Sequence, residues 1–194
     1  MAFFTKDEVR QAARAKVNNS YKINAKAILE SEIRSATSYD SFDVFLSHSS
    51  KDAELVLGVK EILTRKGIKV YVDWQDDPQA NRESVSAETA ELLRARMKQS
   101  KSLIFLATDN ASGSKWMPWE LGYFDGFSGG SVAVLPVLDY ASSSFRGQEY
   151  LGLYPTVDKG QYSNGQPETF VRKPGAWLTL DSFRKGNTSW NSYR

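Results

Sequence analysis

From Phe42 onward, four short apolar runs (Phe42–Ser47, Ile68–Asp73, Ser102–Ala107 and Val132–Leu138) alternate with amphipathic stretches. This alternation limits the fold more than any other feature of the chain. Runs this short and this continuously apolar are the pattern of strands covered on both faces. After the first run, Leu55, Val56, Val59, Ile62 and Leu63 share one helical face through about Arg65, with Ser49 or Ser50 as candidate cap and Gly67 as the stop. A polar loop from Trp74 to Glu83 precedes a second helix near Ser84–Lys98. A loop over Thr108–Ser114 leads into a third helix around Trp116–Phe127, and the turn-rich remainder carries a short fifth strand at Ala176–Leu180. Strand–helix alternation with buried strands predicts an α/β fold, a flavodoxin-like five-stranded parallel sheet with helices on both faces. An eight-fold barrel needs roughly 250 residues, and this chain has 194.

Residues 1–39 have a different texture. Thr5 and Glu8 form a capping-box signature, Val9, Ala12, Ala13 and Val17 recur at helical spacing, and Asn18-Asn19-Ser20 breaks the pattern before a second stretch with Ile23, Ala27, Ile28 and Ile33. The expected organisation is an N-terminal helical extension over 1–39, the α/β domain over 40–183, and a polar C-terminal tail over 184–194. The extension is read first as a cover for an exposed core edge and second as an oligomerisation arm.

Composition narrows the chemistry. There is no cysteine and a single histidine, His48, which excludes disulfides, thiolate nucleophiles, Cys-ligated metal centres and two-His zinc sites. Any enzymatic reaction must rest on carboxylates, hydroxyls or a bound small molecule. Net charge is +2, too small to draw the protein to nucleic acid or anionic lipid. The N-terminus lacks an apolar signal-type run, and no apolar run is long enough to span a bilayer. The chain therefore reads as soluble and cytoplasmic, with neither nucleic acid nor membrane as partner.

In parallel α/β sheets ligands sit outside the carboxyl ends of the strands. Those ends are Ser47-His48, Asp73-Trp74 and Thr108-Asp109, with Glu120 on the helix after the third strand. The loop Ser47–Asp52 has no phosphate-cradling glycine pattern, which disfavours a Rossmann dehydrogenase or a P-loop NTPase. Its hydroxyls and Lys51 suit phosphate at a helix N-terminus, or simply cap the helix. His48 beside serines has no orienting carboxylate in view, so it reads as a loop hydrogen-bonding residue rather than a base. Asp73 suits ribose hydroxyls and Trp74 a base ring, while Asp76-Asp77-Pro78 is strong turn chemistry and no metal site is assigned. The sharpest constellation is Ser114–Gly122. A helix starting at Ser114 or Lys115 puts Trp116 and Glu120 four apart on one face, an aromatic wall beside a carboxylate. A helix starting at Pro118 leaves Trp116 outside it.

Together, Phe42–Asp52, Gly67–Asp73, Ser100–Leu106 and the W-x-x-x-E pattern of Trp116–Glu120 resemble the Toll/interleukin-1 receptor (TIR) domain family, especially its bacterial members. The resemblance covers residues 40–140 well and 141–183 loosely, and it implies the same five-stranded sheet. It further implies an NAD nucleosidase or ADP-ribosyl cyclase that cleaves the nicotinamide–ribose bond, with NAD as substrate and no cofactor. By position Glu120 is similar to the family's catalytic glutamate, and Trp116 to the tryptophan before it. Ser47, His48 and Lys51 match the loop lining the nucleotide pocket, and Asp73 and Trp74 the start of the loop closing over it. His48 departs from the aromatic or other polar residue found there elsewhere, and Trp74–Glu83 lacks a common glycine. Stand-alone bacterial members of this kind make a cyclic ADP-ribose-type messenger in Thoeris-like anti-phage defence. The resemblance thus also implies TIR–TIR self-association and a downstream effector activated by the nucleotide product. The competing classes are a non-catalytic TIR adaptor and a nucleoside deoxyribosyltransferase-like enzyme, which sets a glutamate at the edge of a similar sheet.

Overall fold

The computed structural model describes residues 2–21, 24–33, 37, 39–73, 87–187 and 189–193. Ile23, Trp74, Asp76 and Asp77 lie outside the described residues. The elements in chain order are β1 (Phe4–Thr5), α1 (Lys6–Asn18), α2 (Ala25–Ile33), β2 (Phe42–Ser47), α3 (Ala53–Arg65), β3 (Val70–Val72), α4 (Ala87–Lys98), β4 (Ser100–Ala107) and α5 (Trp116–Ser128). They continue with β5 (Val132–Leu138), β6 (Thr156–Gln161), β7 (Pro167–Lys173), β8 (Ala176–Thr179), α6 (Leu180–Phe183) and β9 (Asn191–Ser192).

The sheet runs β3-β2-β4-β5-β6-β7-β8-β9. Its first five members are parallel, and in chain order they stand second, first, third, fourth, fifth, which is the flavodoxin-like arrangement. The fifth parallel strand is β6, and not the run at Ala176–Leu180. That run does form a strand, β8, but it pairs antiparallel to β7 in a meander appended to the parallel sheet. β6 is hard to read because Asp158, Lys159 and Gly160 interrupt its apolar pattern.

Strand alternation divides the core into two layers. Val44, Leu46, Val70, Val72, Ile104 and Leu106 face α1, α2 and α3. Phe45, Tyr71, Leu103 and Phe105 face the other way, onto Leu93 and Met97 of α4 and Met117, Leu121 and Phe124 of α5. The same parity carries Ser47, two residues beyond Phe45, and Asp73, two beyond Tyr71, to the α5 side of the sheet.

The N-terminal segment is part of this architecture. Thr5 Oγ1 accepts from the Glu8 N–H and caps α1. β1 pairs with β5 at Val137 and Leu138, while Ala2 exchanges two backbone hydrogen bonds with Lys159 of β6. Residues 2–5 thus fill the gap where β5 and β6 diverge. α1 lies on α3 so closely that a Cβ built on Gly58 would stand 2.0 Å from the Val9 carbonyl oxygen. At the other end, β9 pairs with β8, and Arg184 donates to Asp43 of β2 at 2.8 Å.

One buried carboxylate in β6 sets a pH dependence. Asp158 is fully buried; Arg172 Nη1 donates to its Oδ1 at 2.5 Å, and Oδ2 has no hydrogen-bond partner among the described residues. Burial outweighs the Arg172 charge and pushes the carboxyl up to about 6. With the folded value above the unfolded one, the folded state holds the proton more tightly. Asp158 therefore costs nothing below the unfolded value near 3.8, and its cost grows as pH rises through 6, to about 3 kcal/mol at most. The wild type is expected to lose about 2 kcal/mol of stability relative to Asp158→Asn between pH 4 and pH 7, measured by urea unfolding of both proteins. A difference that stays flat across this range contradicts the assignment.

Candidate active site

The site is built where β2 and β4 end. Their last paired residues are Ser47 and Phe105, and beyond this point the two chains separate into loops. Ser47 is fully buried, and its Oγ donates to Glu120 Oε2 at 2.5 Å across that gap. Glu120 is itself 6% exposed on the first turns of α5. A short hydrogen bond to a charged acceptor is among the stronger neutral–ion contacts, and it fixes the carboxylate in one orientation.

The start of α5 explains how Glu120 arrives there. The helix begins at Trp116, with the Ser114 hydroxyl accepting from the Met117 N–H at 3.3 Å. Pro118 is the third helical residue. Its missing N–H falls among the first-turn groups that have no intrahelical acceptor, so it does not displace the helix start. Trp116 and Glu120 therefore lie one turn apart on the same helix. The Trp116 indole is half-buried and meets Trp119 edge-on, with ring centroids 5.4 Å apart. Trp119 stacks on Tyr123, and the Arg94 guanidinium lies 5.4 Å from the Trp119 ring. These rings form a wall along α5, braced by α4.

His48 is buried, and its Nδ1 lies 2.9 Å from the Leu46 carbonyl. A carbonyl only accepts, so Nδ1 carries the proton and the ring is held in place by its own strand. Asp73 is buried at the end of β3. Lys51 is exposed, apart from the buried cluster. The structure thus brings Ser47 and Glu120 into contact and sets His48 and Asp73 beside them at the same sheet edge, with Trp116 one turn before Glu120. Trp74 lies outside the described residues. Among the described residues, no group of three or more His, Asp or Glu is placed to hold a metal.

Two residues of this edge are absent from the sequence reading. Tyr71 is buried under the site. Burial first, and then the Asp73 charge, with a smaller contribution from Glu120, raises its hydroxyl well above the ordinary range, so it stays neutral. Strand parity was the available signal, since Tyr71 shares the face of Phe45 and Ser47. The second is Asp52. The helix after the first strand begins at Ala53 with Asp52 in the capping position, where Ser49 or Ser50 is expected, and Asp52 makes no side-chain cap bond. Its buried carboxylate instead accepts from Thr108 Oγ1 at 2.5 Å and Asn110 Nδ2 at 2.7 Å.

A cavity of about 580 Å³ between α1, α3 and the β6–β7 hairpin contains none of these groups. The site is defined by its buried polar cluster at the carboxyl edge of the parallel strands, the position at which this architecture binds ligands.

The fold and this edge define an α/β domain of the TIR class, and the chain belongs to that family: the family model described as TIR domain matches residues 44–161. Among its relatives is a protein of Bacillus cereus (strain MSX-D12) named a probable 3′ cyclic ADP-D-ribose synthase, ThsB′. It is 44% identical over 173 residues, 87% of this chain and 89% of that protein. A protein of Cytobacillus dafuensis named "Putative cyclic ADP-D-ribose synthase TIR2" is 39% identical over 83 residues, 42% of this chain and 22% of its own length. No helix among the described residues is long and apolar enough to cross a membrane.

Proposed function

We propose that the protein is a TIR-domain NAD glycohydrolase and cyclase that cleaves the nicotinamide–ribose bond of NAD, in Thoeris-like bacterial anti-phage immunity. The observation that carries this reading is a buried carboxylate, Glu120, held by Ser47 at the ligand-binding edge of the sheet. The names of the two relatives support a cyclic product.

The chemistry suits these groups. The C1′–N bond breaks with its electron pair going to the ring nitrogen, so nicotinamide leaves neutral and the ribosyl carbon becomes an oxocarbenium-like cation. Glu120 is the catalytic group, its carboxylate stabilising that positive charge and holding the ribose hydroxyls. Capture of the cation by water gives ADP-ribose and a proton. Capture by a hydroxyl of the same molecule gives a cyclic product and likewise releases a proton, while capture by a ring nitrogen gives a cyclic product in which the base takes up the positive charge. Ser47, His48 and Asp73 line the ribose side, Trp116 and Trp74 supply aromatic surface, and Lys51 meets the phosphates. No cofactor is needed beyond the substrate.

The activity is assigned to residues 40–183, with 1–39 as its helical extension and 184–194 as its polar tail. The enzyme works in the cytoplasm through TIR–TIR contacts, and its nucleotide product activates a downstream effector; nucleic acid and membrane have no part. Incubating the purified protein with NAD, with chromatography for nicotinamide and mass analysis of the ribosyl product, tests the reading. Nicotinamide with a cyclic ADP-ribose species is the expected outcome. No release, even from concentrated protein, favours the adaptor.

A further inference from the structure

Two links, one buried and one part-buried, join the same pair of segments at the site. One segment runs from the end of β2 to the start of α3, residues 47–52, and the other from the end of β4 to Glu120. The first link is Ser47 to Glu120. The second is the Asp52 carboxylate, which uses one oxygen for Thr108 Oγ1 and the other for Asn110 Nδ2. Aspartate at the first position before a helix ordinarily bonds the helix's own free N–H groups. Here it bonds none of them and reaches across to the neighbouring loop.

From the anchored residues a continuous series of turns leads to the catalytic helix. The Ala111 N–H donates to the Thr108 carbonyl, the Gly113 N–H to that of Asn110, and the Ser114 N–H to that of Ala111. The Ser114 hydroxyl then accepts from the first turn of α5. Between the two anchored residues, Asp109 forms a surface ion pair with Lys6 of α1 at 2.6 Å. Three consecutive residues are thus tied to two different elements, and the start of α5 has little freedom to shift against Ser47.

We propose that Asp52 is a positioning residue for Glu120, its carboxylate clasping Thr108 and Asn110 so that the loop before α5 delivers Glu120 to Ser47 and the reacting ribose. The inference rests on the function proposed above. It predicts that opening the clasp lowers kcat for nicotinamide release while leaving KM for NAD nearly unchanged, because the transition-state charge needs the carboxylate in place more than ground-state binding does.

The test is an exchange of donor and acceptor. Asn110→Asp sets two carboxylates against each other and breaks the clasp. Adding Asp52→Asn restores it in reverse, since the new amide donates to the carboxylate at 110 while its oxygen still accepts from Thr108. With kcat taken per folded molecule from parallel thermal melts, Asn110→Asp is expected to lose at least about tenfold in kcat with KM within about threefold. The double variant is expected to return to within about threefold of wild-type kcat. If Asn110→Asp does not fold, Thr108→Val, which removes one bond and adds no charge, decides by a loss of about threefold or more. A folded Asn110→Asp with wild-type kcat, a folded double variant that does not recover, or an unimpaired Thr108→Val overturns the proposal. Wild type is run alongside. If it releases no nicotinamide, the activity fails first, and the clasp is read from amide hydrogen exchange over residues 108–116, expected to quicken in Asn110→Asp and slow again in the double variant.

Discussion

Glu120→Gln is expected to lower nicotinamide release from NAD by about 10²–10³-fold or more, with no loss of folded protein. Glutamine keeps the shape of the side chain and leaves an amide oxygen to accept from Ser47, so the 2.5 Å link that joins α5 to β2 has a replacement. What disappears is the negative charge. A unit charge about 4 Å from the ribosyl cation, at an effective dielectric near 20, is worth about 4 kcal/mol, close to a thousandfold in rate. The effect falls on the transition state, because the cation exists only once the glycosidic bond has begun to break. Stability is expected to hold or rise slightly, since the variant no longer buries a charge in a side chain that is 6% exposed. Chromatographic rate measurements paired with thermal melts separate the two effects. Unchanged turnover would remove Glu120 from the reaction while leaving the fold intact.

The reasons Glu120 could be found in the sequence also explain what could not. Continuous apolar runs mark strands buried on both faces, so β2, β4 and β5 stand out, and with them the sheet edge where Ser47, His48 and Thr108 lie. β6 is an outer parallel strand with a buried ion pair and a glycine, and its polar positions hide it from a search for apolar runs. Pairing direction is a second blind spot, because the β8 run reads the same whether it joins a parallel or an antiparallel neighbour. At the site, the spacing of Trp116 and Glu120 follows from local helix geometry once the helix starts at Trp116, with Pro118 as its third residue. Asp52 depends on contacts with Thr108 and Asn110, more than fifty residues away in the chain. Nothing in the local pattern separates that role from ordinary helix capping, for which Ser49 or Ser50 is the expected residue.

Removing residues 1–18 is expected to abolish cooperative folding, a larger effect than any single substitution outside the site. If α1 were only an oligomerisation arm, its loss would change the mass in solution and leave the melting temperature alone. The packing argues otherwise. Phe4 and Val9 are 4% and 0% exposed and belong to the same core cluster as Val59 of α3 and Val137 of β5. Emptying one large core site costs about 3–5 kcal/mol, and burial of a valine adds about 1.5 kcal/mol or more. Their sum approaches the whole stability of a typical domain, about 5–15 kcal/mol. The deletion also takes away the two-residue strand that pairs with Val137 and Leu138, leaving backbone groups of β5 and β6 without partners. Circular dichroism and thermal melts of the shortened chain read this directly, and a cooperative transition within a few degrees of full length would refute it. A gentler probe of the same contact is Gly58→Ala. In an open helix that change stabilises by about 1 kcal/mol. Here the new methyl would meet the Val9 carbonyl at 2.0 Å, inside backbone that can move only by lifting α1 from α3. The sign is therefore expected to reverse, to a loss of roughly 1–3 kcal/mol by urea unfolding. A stabilised Gly58→Ala would mean that α1 does not lie on α3 in solution.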